Sequence, residues 1–329
     1  MFSMTNDSIA TLFLLPQNEK IEIDQPLPAH TTSAGQHAKR IAKERLPTNT
    51  TTYQHPFHRW FNFIAGFSPE FVHECCAEIG GGEQSVLLDP FAGCATAPLV
   101  ACQRGLRAIG FEAHLVFERI GRAKLPSSTF LDELNQIEII IREGFEHPIS
   151  SVLPPAPALF LSKLFPEDSL EMLLGAREAL ARNDLLKSDL AFLILSKIVD
   201  LSSHSQTDGV YKAPTSRKGA LSPLEACEDV TQMLRTDLNG DQTWDYNQRG
   251  SIIYGSSEDM SVIQDESISI VVTSPPYLNN FDYAEMTRML LYFWGVARSW
   301  GDITDKVRSK LIVNTTTPLK RLYEKSEIQ

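Results

Sequence analysis

The stretch from Ser85 to Glu112 constrains the fold more than any other part of the chain. Ser85-Val-Leu-Leu-Asp89 is a short apolar run that stops at Pro90, and a proline cannot continue a sheet ladder. The turn Pro90-Phe-Ala-Gly93 leads into a helical pattern over 97–103, which Gly105 ends. Arg107-Ala-Ile-Gly-Phe-Glu112 is a second apolar run that finishes on an acid. Strand, tight loop, helix, strand is the opening of an α/β doubly wound sheet, in which parallel strands are buried on both faces. The rhythm resumes late. Ser251-Ile-Ile-Tyr254 with Gly255 reads as strand and turn, and Ser267 to Val272 is a β-branched strand ending at Thr273-Ser-Pro-Pro-Tyr277. A helix over 284–296 follows.

Between these parts the alternation is lost. The segment 116–250 has a proline-rich break at Leu153–Pro157, helical patterns over 167–181 and 187–201, and a polar loop from Ser202 to Ser222. It reads as a mostly helical insertion. Upstream, residues 60–76 carry apolar groups at helical spacing, interrupted where Ser68 can cap a second helix and Pro69 can take its first position. The expected organisation is a polar extension over 1–52, a first core half over 53–115, the insertion over 116–250 and a second core half over 251–329. With 329 residues, 43% hydrophobic and 22% charged, the chain can bury a sizeable core and is not disordered as a whole. No apolar run approaches the roughly 18–20 residues of a membrane span, and no signal peptide is visible, so a cytoplasmic location is expected. Five cysteines without paired or CxxC spacing suggest neither a disulfide framework nor a zinc site.

Two constellations carry chemistry. In Asp89-Pro-Phe91-Ala92-Gly93-Cys-Ala-Thr96, a glycine lets a ligand approach the backbone where a helix N-terminus offers free N–H groups. Glu112, at the tip of the next strand, stands where an acid can bind both hydroxyls of a ribose. In Ser274-Pro275-Pro276-Tyr277, two prolines fix a rigid turn that leaves carbonyls and a hydroxyl facing a cleft, and Tyr277 supplies a stacking surface. That edge can grip an amino group on a planar ring. The bland alternatives are a structural strand-to-helix turn and a strand terminator.

Together these motifs, in this order and at strand ends, resemble the S-adenosylmethionine-dependent DNA amino-methyltransferases. Asp89 to Thr96 is similar to that family's cofactor loop, and Ser274-Pro275-Pro276-Tyr277 to its target-amine motif. The segment His55 to Phe71 (HPFHRWFNFIAGFSPEF) is similar to the element that contacts the methionine end of the cofactor. The resemblance implies a Rossmann-like sheet of seven strands, with S-adenosylmethionine bound by Asp89, Phe91, Ala92, Gly93, Thr96 and Glu112. It also implies double-stranded DNA with a flipped base as substrate, gripped by Ser274 and Pro275 and stacked on Tyr277. A serine at the head of the motif goes with N4 of cytosine ahead of N6 of adenine. Three departures stand out, one of them Ala97 where the family usually has a second Thr after Thr96. The loop's second glycine is Ala95, which fits if the backbone stays at negative φ. Where the family often has Gly-Asp after the third strand, Gly255 is followed by Ser256, so the adenine-binding role passes to Ser256 or a displaced acid. No Pro-Cys pair exists for C5 chemistry, which needs a thiolate nucleophile.

A net charge of −11 does not favour nucleic acid, but only a cleft needs to be basic. Lys39, Arg40, Lys43 and Arg45 are candidate phosphate contacts. So is the loop carrying Tyr211, Lys212, Arg217 and Lys218, which combines an aromatic with cations. The rival readings are an RNA guanine-N2 methyltransferase and an inactive cofactor-loop protein. After Tyr277 the chain is short for three more strands at about 30 residues per βαβ unit. The expectation is therefore a sheet incomplete at the C-terminus, in either a truncated product or one half of a split enzyme that needs a second polypeptide; a restriction endonuclease is the other candidate partner.

Overall fold

The computed structural model describes residues 49–62, 66–150, 153–207, 212–217, 219–240, 246–276 and 282–311. The basic segment 36–45, Tyr211, Lys218 and Tyr277 lie outside them. Among the described residues, four parallel strands form the central sheet: β1 (Val86–Asp89), β2 (Arg107–Glu112), then, after a two-stranded sheet of β3 (Ser205–Thr207) and β4 (Lys212–Arg217), β5 (Gly250–Tyr254) and β6 (Ile270–Val271). Their order is β5-β2-β1-β6. From β1 the chain winds outward through β2 to β5, then returns to the other side of β1. The strand order therefore reverses between β1 and β6, the switch point at which open α/β sheets bind ligands. The α/β class and a Rossmann-like sheet follow from this order, which is consistent with a methyltransferase fold.

Side chains alternate across the strands. Leu87, Ala108, Ile252 and Ile270 face the main core, whereas Val86, Leu88, Ile109 and Phe111 face a second cluster closed by Met260, Val262, Ile263 and Ile268. The main core continues without a break into the insertion. Helix α1 (Pro69–Ile79) packs on α2 (Thr96–Gln103), which lies across the sheet beside α3 (Leu115–Ala123). Next come α4 (Phe130–Glu146), α5 (Pro155–Leu161), α6 (Glu167–Arg182), α7 (Asp189–Ser202) and α8 (Pro223–Gly240). Helix α7 is apolar all round, with Leu190 to Leu195, Ile198 and Val199 buried, as a helix at the centre of a bundle must be. Helices α4 and α6 touch at Gly144 and Gly175. A Cβ on Gly144 would lie 2.4 Å from Ala176 Cα, and one on Gly175 2.3 Å from Gly144 O, so only glycine permits this crossing. Arg119 and Arg122 of α3 both bond Asp189 at the start of α7, tying the insertion to the sheet's own helix.

Several expectations hold in detail. Ser68 Oγ accepts from Phe71 N at 3.2 Å with Pro69 at the first helical position. The helices expected over 167–181 and 187–201 are α6 and α7. Others need correction. Residues 60–67 are not α-helical where described; the chain makes 3₁₀ turns at Asn49–Gln54 and His58–Trp60 instead. Part of the expected loop 202–222 forms the antiparallel pair β3–β4. The strand expected from Ser267 shortens to Ile270–Val271, because the Ser269 hydroxyl, rather than a carbonyl, accepts from Val86 N at 3.1 Å. The helix expected over 284–296 breaks at Thr287 into α9 (Tyr283–Met286) and α10 (Arg288–Phe293). It is followed by α11 (Trp300–Lys306).

Candidate functional site

At the carboxyl ends of β1, β2, β5 and β6 lies a cleft of about 1020 Å³, its solvent mouth included. The size suits a drug-sized or nucleotide-sized ligand. Asp89, Phe91, Ala92, Gly93, Thr96, Glu112 and Ser256 all line it, and so do Ser274 and Pro276. The two motifs, far apart in sequence, therefore share one cleft. Pro275 is exposed and does not line it. Lys212 and Arg217 bound strand β4 in the small second sheet, not in the central sheet.

The two loops are bonded directly. Thr273 Oγ1 donates to Asp89 Oδ1 at 2.7 Å, and Phe91 N donates to the same oxygen at 3.1 Å. Asp89 is buried, and loss of water raises its carboxyl to about 6 against the pull of those two bonds. Glu112 is held just as firmly. Its Oε2 accepts from Gly93 N at 2.8 Å and its Oε1 from His114 N at 2.7 Å. Desolvation nevertheless raises its pKa to about 7. Each carboxylate oxygen accepts more than one bond, so Glu112 keeps acceptor capacity at the cleft wall. A vicinal diol, with its two donors, fits that capacity.

Backbone geometry sets the loop between them. Gly93 has φ 52°, which glycine adopts freely. Ala95 also stands in the left-handed region, at φ 64° and ψ 35°, so the sequence expectation of a negative φ is overturned. The strain costs roughly 1–2 kcal/mol. The Ala95 methyl is completely buried, and Gly121 of α3 makes room for it: a Cβ there would lie 3.3 Å from Ala95 Cβ.

Sequence reasoning missed several groups. His114 caps α3, its Nδ1 accepting from Val116 N at 3.2 Å. Burial lowers its pKa to about 3, so it is neutral, and its Nε2–H donates to Thr287 Oγ1 at 2.8 Å. Thr287 in turn donates to backbone carbonyls of α9, and back-bonding of this kind often bends helices. Phe61, Asn62, Gly66 and Phe67, which belong to the segment His55–Phe71 already singled out in the sequence, form another wall. Asp237 of α8 anchors that wall from outside. Its carboxylate accepts from Phe57 N at 3.1 Å, Trp60 Nε1 at 2.9 Å and the Arg59 guanidinium. Lys124, directly after α3, bonds the carbonyls of His58 and Phe61. No spacing rule marks these groups, because each acts on a segment distant in sequence.

The sheet order and the cleft at its switch point are those of a Rossmann-like α/β protein and are consistent with a methyltransferase fold. Comparison with known proteins agrees. The chain is similar to the type II methyltransferase M.BsoBI of Geobacillus stearothermophilus, at 22% identity over 85% of this chain and 60% of that protein. It is also similar to the type II methyltransferases M.AvaI of Nostoc sp. and of Anabaena variabilis. Both are 24% identical over 73% of this chain and 54% of their own length. The chain thus spans little more than half the length of these relatives. No family model and no solved structure matches it. No helix among the described residues is long and apolar enough to cross a membrane.

Proposed function

We propose that the chain transfers a methyl group from S-adenosylmethionine to an exocyclic amine of a DNA base, at N4 of cytosine ahead of N6 of adenine. The observation that carries this reading is the meeting of the Asp89–Thr96 loop, Glu112, Ser274 and Pro276 in one cleft. The likeness to type II methyltransferases supports it. The cofactor's chemistry is an electrophilic methyl group on a sulfonium. Glu112 accepts the ribose hydroxyls, the Asp89–Thr96 loop borders the amino-acid arm, and Ser256 faces the adenine. An exocyclic amine is conjugated to its ring and is a weak nucleophile. The Ser274 hydroxyl, at the cleft wall, accepts a hydrogen bond from the amine, which localises the nitrogen lone pair toward the methyl group. Tyr277 stacks on the flipped base, and positioning supplies most of the acceleration. The insertion, with the β3–β4 pair carrying Lys212 and Arg217, is the candidate reader of the target sequence and its phosphates.

Tyr277→Ala tests the division of labour. It removes a stacking surface worth roughly 1–3 kcal/mol per base. Methyl transfer should fall by about tenfold or more, while cofactor affinity measured by calorimetry stays at the parent value. Undiminished transfer in that variant would refute the target-amine assignment.

A further inference from the structure

The cleft contains one buried cation that the reading above does not use. Lys124 is 2% exposed and lines the cleft. Its Nζ donates to His58 O at 3.0 Å and to Phe61 O. An ammonium has three N–H donors. Among the described residues the third has no partner, and no carboxylate pairs with the charge. Burial lowers its pKa, with Lys197 adding to the effect, but only to about 8, so the group is a cation at neutral pH. A buried charge without a counter-charge is costly, by several kcal/mol. Fastening two carbonyls does not require that charge, since a neutral amide has two N–H donors. The cation and its spare donor match an anion that enters the cleft. The same lysine holds Phe61, a residue of the wall that continues to Asn62, Gly66 and Phe67.

We propose that Lys124 is the counter-charge for the carboxylate of the cofactor's amino-acid arm. This rests on the methyltransferase reading and adds to it a specific residue for one end of the ligand. With Glu112 at the ribose, one cation and the two cleft acids, Asp89 and Glu112, complement a zwitterionic arm joined to a diol.

The test compares S-adenosylmethionine with its decarboxylated form, which keeps the ammonium, sulfonium and nucleoside but lacks the carboxylate. Calorimetry on the parent should show S-adenosylmethionine bound at least about tenfold more tightly, as expected for a hydrogen bond to a charged group. In Lys124→Gln, which retains two N–H donors for His58 O and Phe61 O but no charge, that preference should vanish. Affinity for the decarboxylated form should stay within about threefold of the parent. Lys124→Met should behave alike where it folds. Equal affinity of the parent for both compounds overturns the proposal without any variant. Equal losses for both compounds in Lys124→Gln also overturn it, because they would show a packing role alone. If the parent binds neither compound, the methyltransferase reading fails as well, and the two failures are thereby told apart.

Discussion

Replacing Glu112 with glutamine should change how stability depends on pH. In the folded protein, burial raises this carboxyl from its ordinary value of 4.5 to about 7. The sign follows from which state holds the proton more tightly. The folded state does, so ionising Glu112 penalises folding: the penalty is absent below about pH 4.5 and complete above about pH 7. At 1.36 kcal/mol per pH unit the full penalty is about 3 kcal/mol, of which about 2.5 develops between pH 5 and pH 8. Glutamine cannot ionise. It also leaves Gly93 N or His114 N without its acceptor, at a cost of roughly 1–3 kcal/mol that does not vary with pH. The stability difference, variant minus parent, should therefore rise by about 2–3 kcal/mol from pH 5 to pH 8 in urea titrations followed by circular dichroism. Asp89, raised to about 6, gives both proteins a similar slope that largely cancels in the difference. Ribose hydroxyls donate to the ionised form, so cofactor binding near pH 6.5 should release a fraction of a proton in the parent and none in the variant. Calorimetry in buffers of different ionisation enthalpy reads this directly. A stability difference that stays flat across the range would refute the account of Glu112 as a desolvated acid.

Two further changes probe what holds the cleft in place. Asp237→Ala should destabilise the protein by about 3–5 kcal/mol, because it strips the Arg59 guanidinium, Trp60 Nε1 and Phe57 N of their shared acceptor. By loosening the wall at Phe61 and Asn62 it should also weaken cofactor binding, read by calorimetry under conditions where the variant remains folded. Gly144→Ala would drive a methyl to 2.4 Å from Ala176 Cα, backbone that cannot step aside, and should lower stability by about 1–3 kcal/mol in thermal melts.

The sheet was legible from sequence because parallel strands are short apolar runs with sharp ends, and prolines and an acid marked those ends at Asp89, Glu112 and Thr273. The order of the two motifs placed them at adjacent strand ends, and the structure brings both loops into one cleft. What stayed hidden depends on partners distant along the chain. Nothing near Thr287 announces that His114 will donate to its hydroxyl, so the helix over 284–296 looked continuous. Ser269 looked like a strand residue, and its hydroxyl takes over a ladder bond. Ala95 was expected to fit at negative φ, but in the tight turn between β1 and α2 it stands at φ 64°. Asp237 and Lys124 are ordinary helix-end charges in sequence and become anchors of the 57–62 segment only once the insertion is folded against the sheet.

The central claim is methyl transfer to an exocyclic amine. Incubating the protein with S-adenosylmethionine carrying a trideuterated methyl group, together with mixed double-stranded DNA and RNA, followed by digestion and nucleoside mass spectrometry, tests it most directly. The account predicts a mass gain of one trideuteromethyl group on deoxycytidine at N4, absent with Tyr277→Ala. Label on guanosine from the RNA would assign the cleft to the rival substrate, and S-adenosylmethionine bound without any labelled nucleoside would contradict the claim of transfer.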